Sequence, residues 1–143
     1  MRKGTLKLPR KKRSVLAEPV IKNDPKKREK KRIQQIIEEE RANIFMNTCA
    51  SYGLHPKREY VFLKDRKFRI DFYFEYGGKK LGLEVEGGVY VGGRHTSGAG
   101  FMKDMEKYNL FTMNDIYLYR TVPNDLNSIK VIRDILRFFG LGN

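Results

Sequence analysis

The central third of the chain alternates polar and apolar residues with a period of two, on both sides of a Gly-Gly pair. This stretch reads RIDFYFEYGGKKLGLEVE and covers residues 69–86. Such alternation around a two-residue glycine turn predicts a β-hairpin. Two further strands are predicted for KREYVFL, before the hairpin, and for DIYLYRTV, nearer the C-terminus.

Three other segments are predicted to be helical. The first begins at Pro25, with Asp24 as its N-cap, and runs through KKREKKRIQQIIEEERANIFMNTCASY to end at Gly53. The second is FMKDMEKYNLFTM, and the third is LNSIKVIRDILRFF, which ends before Gly140. The apolar stripe of the third helix is formed by Ile129, Ile132, Leu136 and Phe139. This order predicts an α/β protein of the α+β kind, with a small mixed sheet flanked by helices.

Charge divides the chain into a basic arm and one domain. The net charge is +13, and residues 1–32 hold 14 Lys and Arg against three acidic residues, so the remainder is nearly neutral. We expect residues 1–24 to form a flexible arm and residues 25–143 to form a single domain. A basic arm favours an anionic polymer or surface as partner.

The compartment is indicated by what the chain lacks. Cys49 is the single cysteine, which excludes an internal disulfide and favours a reducing compartment. The N-terminal MRKGTLKLPRKKR has no apolar stretch of the kind that secretory signals carry, and no apolar run is long enough for a membrane span. We therefore expect no membrane partner, and a cytoplasmic location in a bacterium or phage-infected cell, or a nuclear one in a eukaryote.

Acidic residues gather on one face of the predicted hairpin. A turn at Gly77–Gly78 places Asp71 opposite Glu84 and Arg69 opposite Glu86. Facing carboxylates destabilise a sheet unless a cation such as Mg²⁺ lies between them; the alternative is a solvated face neutralised by basic neighbours. The other face is predicted to be core, formed by Phe68, Ile70, Phe72, Phe74, Leu81, Leu83 and Val85.

Two further observations favour a metal site. Gly82 leaves room beside Glu84, and Gly87–Gly88 lets a ligand approach the backbone just past Glu86. Glu40 falls within an apolar stripe of the first helix, formed by Ile33, Ile36, Ile37 and Ile44. An inward-leaning glutamate is uncommon unless it is paired or binds a metal, although a solvated glutamate at the stripe edge is the alternative.

These residues resemble the PD-(D/E)XK nuclease superfamily over roughly residues 38–122. Its members have a restriction-endonuclease-like αβββαβ core, with a metal-binding Asp on the second strand and an E-x-K triplet on the third. Here Asp71 matches the Asp and Glu84-Val85-Glu86 matches the triplet. The segments EVEGG, GRHTSGAGF and EKYN look most similar to small phage-type and Holliday-junction-resolvase-like enzymes. Ile70 replaces the Pro of the family name, and the C-terminal helix is an addition to the core.

The resemblance implies a magnesium site. Asp71, Glu84 and the backbone carbonyl of Val85 would hold Mg²⁺, for which Mn²⁺ would substitute, and Glu86 and Glu40 would bind the same or a second ion. The ion would lower the pKa of a bound water and neutralise charge on the scissile phosphate. The expected products are a 5′-phosphate and a 3′-hydroxyl.

The lysine of the triplet is missing, because Glu86 occupies its position. In relatives with this departure a basic residue on the following helix takes its role. Lys103 and Lys107 lie one turn apart on the same face of that helix. Lys107 is the favoured candidate for orienting or deprotonating the water. Without a cation at this place, a DNA-binding remnant becomes the better interpretation.

Several residues are candidates for DNA contact. The loop GGRHTSGAG precedes a helix, whose free amides could bind phosphate, although a linker with Thr96 or Ser97 as helix cap is the alternative. The arm could neutralise phosphates, but a solubility tail or an import signal would also explain it. The candidates are Arg94, His95, Thr96, Lys103, Arg69, Arg10, Lys11, Lys12 and Arg13.

The sequence thus predicts a Mg²⁺-dependent DNA endonuclease, with branched DNA such as a four-way junction as its expected substrate. Symmetric cutting of a junction would require a homodimer, for which the long first helix offers a surface. The alternatives are a mismatch-repair or restriction-type nicking endonuclease on the same fold, and a non-catalytic DNA-binding module. A basic ribosome-associated protein is a third alternative, but it would not require clustered acids beside glycines.

Overall fold

The computed structural model describes residues 24–87 and 98–142, and within them the chain forms three helices and a four-stranded sheet. The order α, β, β, β, α, β, α confirms the predicted α+β class. The elements are α1 (Pro25–Ser51), β1 (Lys57–Val61), β2 (Arg69–Tyr76), β3 (Lys79–Val85), α2 (Gly98–Met113), β4 (Ile116–Thr121) and α3 (Ile129–Phe139).

The sheet has the strand order β1-β2-β3-β4. The first three strands are antiparallel, and β4 lies parallel to β3. A parallel neighbour requires a crossover, and the segment containing α2 provides it. The C-terminal ends of β3 and β4 therefore meet at one edge of the sheet, where Val85 pairs with Thr121.

The β2–β3 hairpin has the predicted turn and register. Gly77 and Gly78 have φ angles of 56° and 75°, a left-handed pair that suits a two-residue hairpin turn. Tyr76 pairs with Lys79, and regular pairing continues from there as far as Phe72 opposite Leu83. Beyond that pair the ladder changes, at the end of the hairpin that carries the acidic residues.

Each face of the sheet is covered by a separate apolar cluster. The larger cluster joins β2 and β3 to α1 and α3 through residues such as Phe45, Phe74, Leu83 and Ile135. The smaller cluster lies on the α2 side and consists of Ile70, Tyr73, Phe111 and Ile116. Gly82 does not leave the predicted room beside Glu84, because a Cβ there would be 2.9 Å from the buried Phe111 ring.

The face of α1 that packs on the sheet differs from the predicted one. Phe45 is fully buried and makes edge-to-face contacts with the rings of Phe72 and Phe74. Ala42 and Cys49 are buried on the same side of the helix. The isoleucines of the predicted stripe, Ile33, Ile36, Ile37 and Ile44, are instead 38% to 55% exposed.

The expectation that Glu40 leans inward is therefore wrong, and the residue is exposed. Its neighbours in the stripe are apolar, but the larger ring of Phe45 finds two aromatic partners in the sheet and determines which side of α1 is buried. The predicted helix limits are correct. Asp24 accepts a hydrogen bond from the Lys26 amide at the N-terminus, and Gly53 has a left-handed φ of 75° just after the C-terminus.

Helix α3 closes the large cluster. Ser128 caps its N-terminus, two residues after the predicted start at Leu126, and Gly140 follows its predicted C-terminal end in the left-handed conformation. Ile129 does not belong to its apolar stripe, because it lies in the first turn and is 82% exposed. No helix within residues 24–87 and 98–142 combines the length and the apolar character needed to cross a membrane.

Candidate active site

At the acidic end of the hairpin, the regular alternation of side chains along β2 is interrupted at Asp71. Opposite it in β1 lies Glu59, which has a positive φ of 47°. Ile70 was predicted to share a face with Phe72, but it packs in the α2-side cluster while Phe72 packs in the other. The Asp71 carboxylate accepts a hydrogen bond of 2.7 Å from the Val85 amide of β3. The backbone irregularity thus turns Asp71 into a side-chain bridge between the two strands.

Glu84 is a buried carboxylate with one strong partner. The residue is 8% exposed, and its Oε2 lies 2.6 Å from the Lys107 ammonium on α2. Its other oxygen, Oε1, is buried and has no hydrogen-bond partner within the part of the chain that the structure describes. An unpaired buried oxygen is costly and marks a place where a ligand would be favoured.

Burial makes both acids unusually easy to protonate. It raises the pKa of Glu84 to about 7, with the nearby Asp71 charge adding to the effect and the Lys107 hydrogen bond opposing it. Burial also raises the pKa of Asp71, although the Val85 amide and the Lys107 charge act in the other direction. Two carboxylates thus lie close together, and the positive charge of Lys107 only partly compensates the repulsion between them.

The lysine on α2 that contacts the acids is Lys107. Its side chain is 16% exposed and is oriented toward Glu84, and it also lies 5.9 Å from the centre of the Phe111 ring. Lys103, one turn earlier on the same helix, is exposed. The preference for Lys107 over Lys103 as the cation nearest the acids therefore agrees with the geometry.

Glu86 has a different set of partners from the one expected. It accepts hydrogen bonds from the Tyr108 hydroxyl at 2.7 Å and from Arg120 Nε at 2.8 Å. The Arg120 guanidinium in turn lies 5.1 Å from the centre of the Tyr108 ring. The predicted pairing of Arg69 with Glu86 is wrong, because regular pairing ends before it and Arg69 lies 3.6 Å from Glu59 instead.

A cleft of about 550 Å³ opens beside Asp71, between α1 and the sheet. Arg58 of β1 holds Glu39 of α1 there by two hydrogen bonds, of 2.7 and 3.0 Å, and this contact lowers the pKa of Glu39. The Arg58 Nε is buried without a partner within the described residues. The cleft is lined by Gln35, Glu38, Glu39, Arg41, Ala42, Arg58, Glu59, Asp71, Phe72, Val85, Gly87, Pro123 and Leu126.

Helix α1 thus contributes Glu38 and Glu39 to this cleft and not Glu40, and Glu39 is the one that Arg58 holds. Sequence reasoning missed it because the isoleucine stripe was the stronger apolar signal. A second periodic set, Ala42, Phe45 and Cys49, shares a face with Gln35 and Glu38 and would have placed the cleft correctly. Tyr108, Arg58 and Arg120 carry no comparable signal, since their roles depend on contacts across the fold.

Other predicted contacts have mixed outcomes. Tyr73 of β2 is 4% exposed, stacks on Tyr60 with ring centres 4.3 Å apart and donates a hydrogen bond to Glu75. Val85 lies on the cleft wall, as a ligand beside Asp71 would require. The candidates Arg94, His95, Thr96, Arg10, Lys11, Lys12 and Arg13 lie outside the described residues.

A divalent cation fits this donor set in a limited way. Within residues 24–87 and 98–142 no group of three or more His, Cys, Asp and Glu side chains is arranged to hold a metal ion. Mg²⁺, however, is usually bound in proteins by one or two carboxylates together with waters and substrate phosphates. Asp71 and Glu84 supply two carboxylates, and the unpartnered Glu84 Oε1 is the atom such an ion would satisfy.

Comparison with protein-family models, with curated proteins and with solved structures gives no match to this chain.

Proposed function

We propose that the protein is a Mg²⁺-dependent DNA endonuclease whose active site is formed by Asp71, Glu84 and Lys107. The observation that carries this proposal is the buried Glu84 carboxylate, which has one oxygen on Lys107 and the other without a partner. A purely structural ion pair would be expected to satisfy both oxygens. A carboxylate that is kept partly unsatisfied beside a second acid is typical of a functional site.

The topology supports the same proposal. The elements from α1 to β4 follow the αβββαβ order that the sequence resemblance implies, and Asp71 lies near the start of β2 while Glu84 lies near the end of β3. Lys107 reaches the acids from α2, which is the place from which a substitute for the missing triplet lysine would come. These features support a nuclease. The choice of DNA as its substrate follows from the sequence resemblance.

Asp71, Glu84 and the Val85 carbonyl would hold Mg²⁺, and Mn²⁺ would substitute for it. When bound, the ion would make water more acidic and stabilise charge on the phosphate that is being cleaved. Two buried carboxylates gain most from such a cation, because the free energy of their burial is unfavourable without one. Glu86, held by Tyr108 and Arg120, would fix the end of β3 in place of binding the ion directly.

Lys107 would act on the water that attacks phosphorus. Its ammonium is fixed by a 2.6 Å contact with Glu84, so its position depends on the same carboxylate that faces the substrate. An ammonium that is held beside a scissile phosphate can orient a water molecule and stabilise negative charge that grows in the transition state. The cleft beside Asp71 would receive the phosphodiester, with Arg58 as a cation on its wall.

The experiment that tests the proposal is cleavage of labelled DNA with and without Mg²⁺. We expect cleavage only with the metal, and its loss in Asp71→Asn and Glu84→Gln. Glu75→Gln is the matched control, because Glu75 is an exposed acid on the same strand, β2, and lies near the other end of the hairpin. Activity that persists in Asp71→Asn would show that the site is wrongly assigned.

The substrate is tested in the same assay with a four-way junction, a splayed duplex and a linear duplex. We propose branched DNA, and preferential cutting of the junction would support it. Equal cutting of all three would refute this choice and favour a nicking endonuclease of the mismatch-repair or restriction type. Tight, salt-dependent binding of DNA without any cleavage would favour the non-catalytic binding module.

A further inference from the structure

The outer face of α1 is an apolar surface without a partner in the described part of the chain. Ile33, Ile36, Ile37 and Ile44 are about half exposed, although each is a large aliphatic residue. On a helical projection this stripe lies roughly 150° from Ala42, Phe45 and Cys49, which pack on the sheet. The helix therefore presents two apolar faces, one to its own domain and one away from it.

The N-terminal half of α1 has little contact with the domain that would explain its helical state. Every residue from 25 to 40 is exposed in the structure. Isolated helices of this length are marginally stable, and helices in proteins usually gain their stability by packing an apolar face. A partner on the isoleucine stripe would supply this packing.

The charges along this face of α1 favour pairing with a second copy of the helix that runs in the opposite direction. In an antiparallel pair of two copies centred on Gln35, Ile33 of one copy lies opposite Ile37 of the other. Lys30 then lies opposite Glu40, and each such contact occurs twice by symmetry.

A parallel pair has the opposite property. It would place Lys30 beside Lys30 and Glu40 beside Glu40, so that like charges would meet at both ends of the isoleucine contact. The central isoleucines would be buried in either case, but only the antiparallel arrangement surrounds them with attractive charges. The contact between the two helices would extend from Lys26 to Ile44, which is about 27 Å of helix.

We propose that the protein forms a symmetric dimer through this face, by antiparallel packing of two α1 helices that cross at the level of residue 35. Glu40, which was expected at the catalytic site, belongs to this interface as the partner of Lys30 of the second copy. The contact leaves the cleft and the acids free, because they lie on the other side of the helix.

The test is the oligomeric state measured by sedimentation equilibrium, without DNA or metal, so that its result is independent of the proposed activity. We expect a monomer–dimer equilibrium in the micromolar range, because a single pair of packed helices buries less surface than a standard interface. Ile33→Asn combined with Ile37→Asn should give a monomer. Both residues are exposed, so circular dichroism and the Tm of the domain should change little.

Charge exchange tests the antiparallel arrangement. Lys30→Glu alone and Glu40→Lys alone should each weaken the dimer by about tenfold, since each converts two attractive contacts into repulsive ones. The double exchange Lys30→Glu with Glu40→Lys should restore it, and a mixture of the two single variants should form a heterodimer. Lys31→Glu is the matched control, because Lys31 lies on the other side of the helix and should leave the dimer unchanged.

Three outcomes would overturn the proposal. The first is a wild-type protein that is monomeric at all concentrations, which would indicate that the N-terminal arm or another macromolecule covers the stripe. The second is a dimer that both single charge variants leave unaffected. The third is failure of the double exchange to restore association, because antiparallel pairing requires the compensation.

Discussion

The two ends of the β2–β3 hairpin differ in how completely their polar groups are paired. At the turn end, Gly77–Gly78 closes a regular ladder and Lys79 donates a hydrogen bond of 2.8 Å to the Phe138 carbonyl. At the open end the ladder gives way to the Asp71 side chain, and Glu84 keeps a buried oxygen without a partner among the described residues. The first end is built for stability and the second accepts a cost in stability, which is typical of a functional site.

The largest effect should come from removing the lysine at the open end. Lys107→Met should lower the rate of DNA cleavage by about 10² to 10⁴-fold, the usual contribution of a positioned group that moves or holds a proton. The measurement is a single-turnover cleavage assay. Lys79→Met at the turn end is the matched control and should leave the rate within a factor of about three.

Full activity in Lys107→Met would show that another residue supplies the catalytic cation. Lys103→Met should then be examined, since Lys103 is the next cation along the same face of α2. If both variants were fully active, the site at the open end would have no catalytic lysine from α2.

The second prediction concerns the close packing in the middle of the hairpin. Gly82→Ala should lower the free energy of unfolding by about 1 to 3 kcal/mol, because the added Cβ meets the buried Phe111 ring at 2.9 Å. Denaturation by urea measures this change. Gly87→Ala at the open end is the control, because the space around Gly87 is open and a Cβ there meets no atom within 4 Å.

The third prediction uses the raised pKa of Glu84. A carboxyl group whose pKa rises on folding favours the folded state at low pH, and this contribution is lost as the pH rises through the folded value of about 7. Without metal, the free energy of unfolding should therefore fall by about 1 kcal/mol between pH 6 and pH 8. Glu84→Gln should abolish this part of the pH dependence, whereas an unchanged profile in that variant would assign the dependence to another group.

The smallest effect is expected at the turn. Gly78→Ala should cost about 1 kcal/mol, because alanine is strained at the left-handed φ of 75° even though the space around the residue is open. Cleavage activity should be unaffected, since the turn lies at the opposite end of the hairpin from the acids. Loss of activity in a folded Gly78→Ala variant would contradict the separation of the two ends.

Patterns confined to neighbouring residues were sufficient to predict most of the fold. The strands of the hairpin, the Gly77–Gly78 turn and the ends of α1 follow from alternation, glycine and capping residues, which act locally. The same counting placed Asp71 and Glu84 at one end of the hairpin. Lys107 could be singled out as well, since helical spacing and the missing triplet lysine pointed to α2.

The errors occurred where long-range packing decides the outcome. Alternation assigned Ile70 to the wrong face, because nothing in the sequence reveals that Glu59 adopts a positive φ opposite Asp71. The four isoleucines of α1 outnumber the residues that are buried, yet the rings available in the sheet select Phe45. The contacts of Glu86 with Tyr108 and Arg120 could not be predicted, because these partners lie far away in the sequence.

Cys49 gives the chain a built-in reporter of helix detachment. It is the single cysteine, it is 2% exposed in the core face of α1, and burial raises the pKa of its thiol to about 12. A thiol of this kind reacts with alkylating reagents only when α1 lifts away from the sheet. The rate of alkylation therefore reports how often α1 opens, and a cysteine introduced on the protein surface would be modified long before the native one.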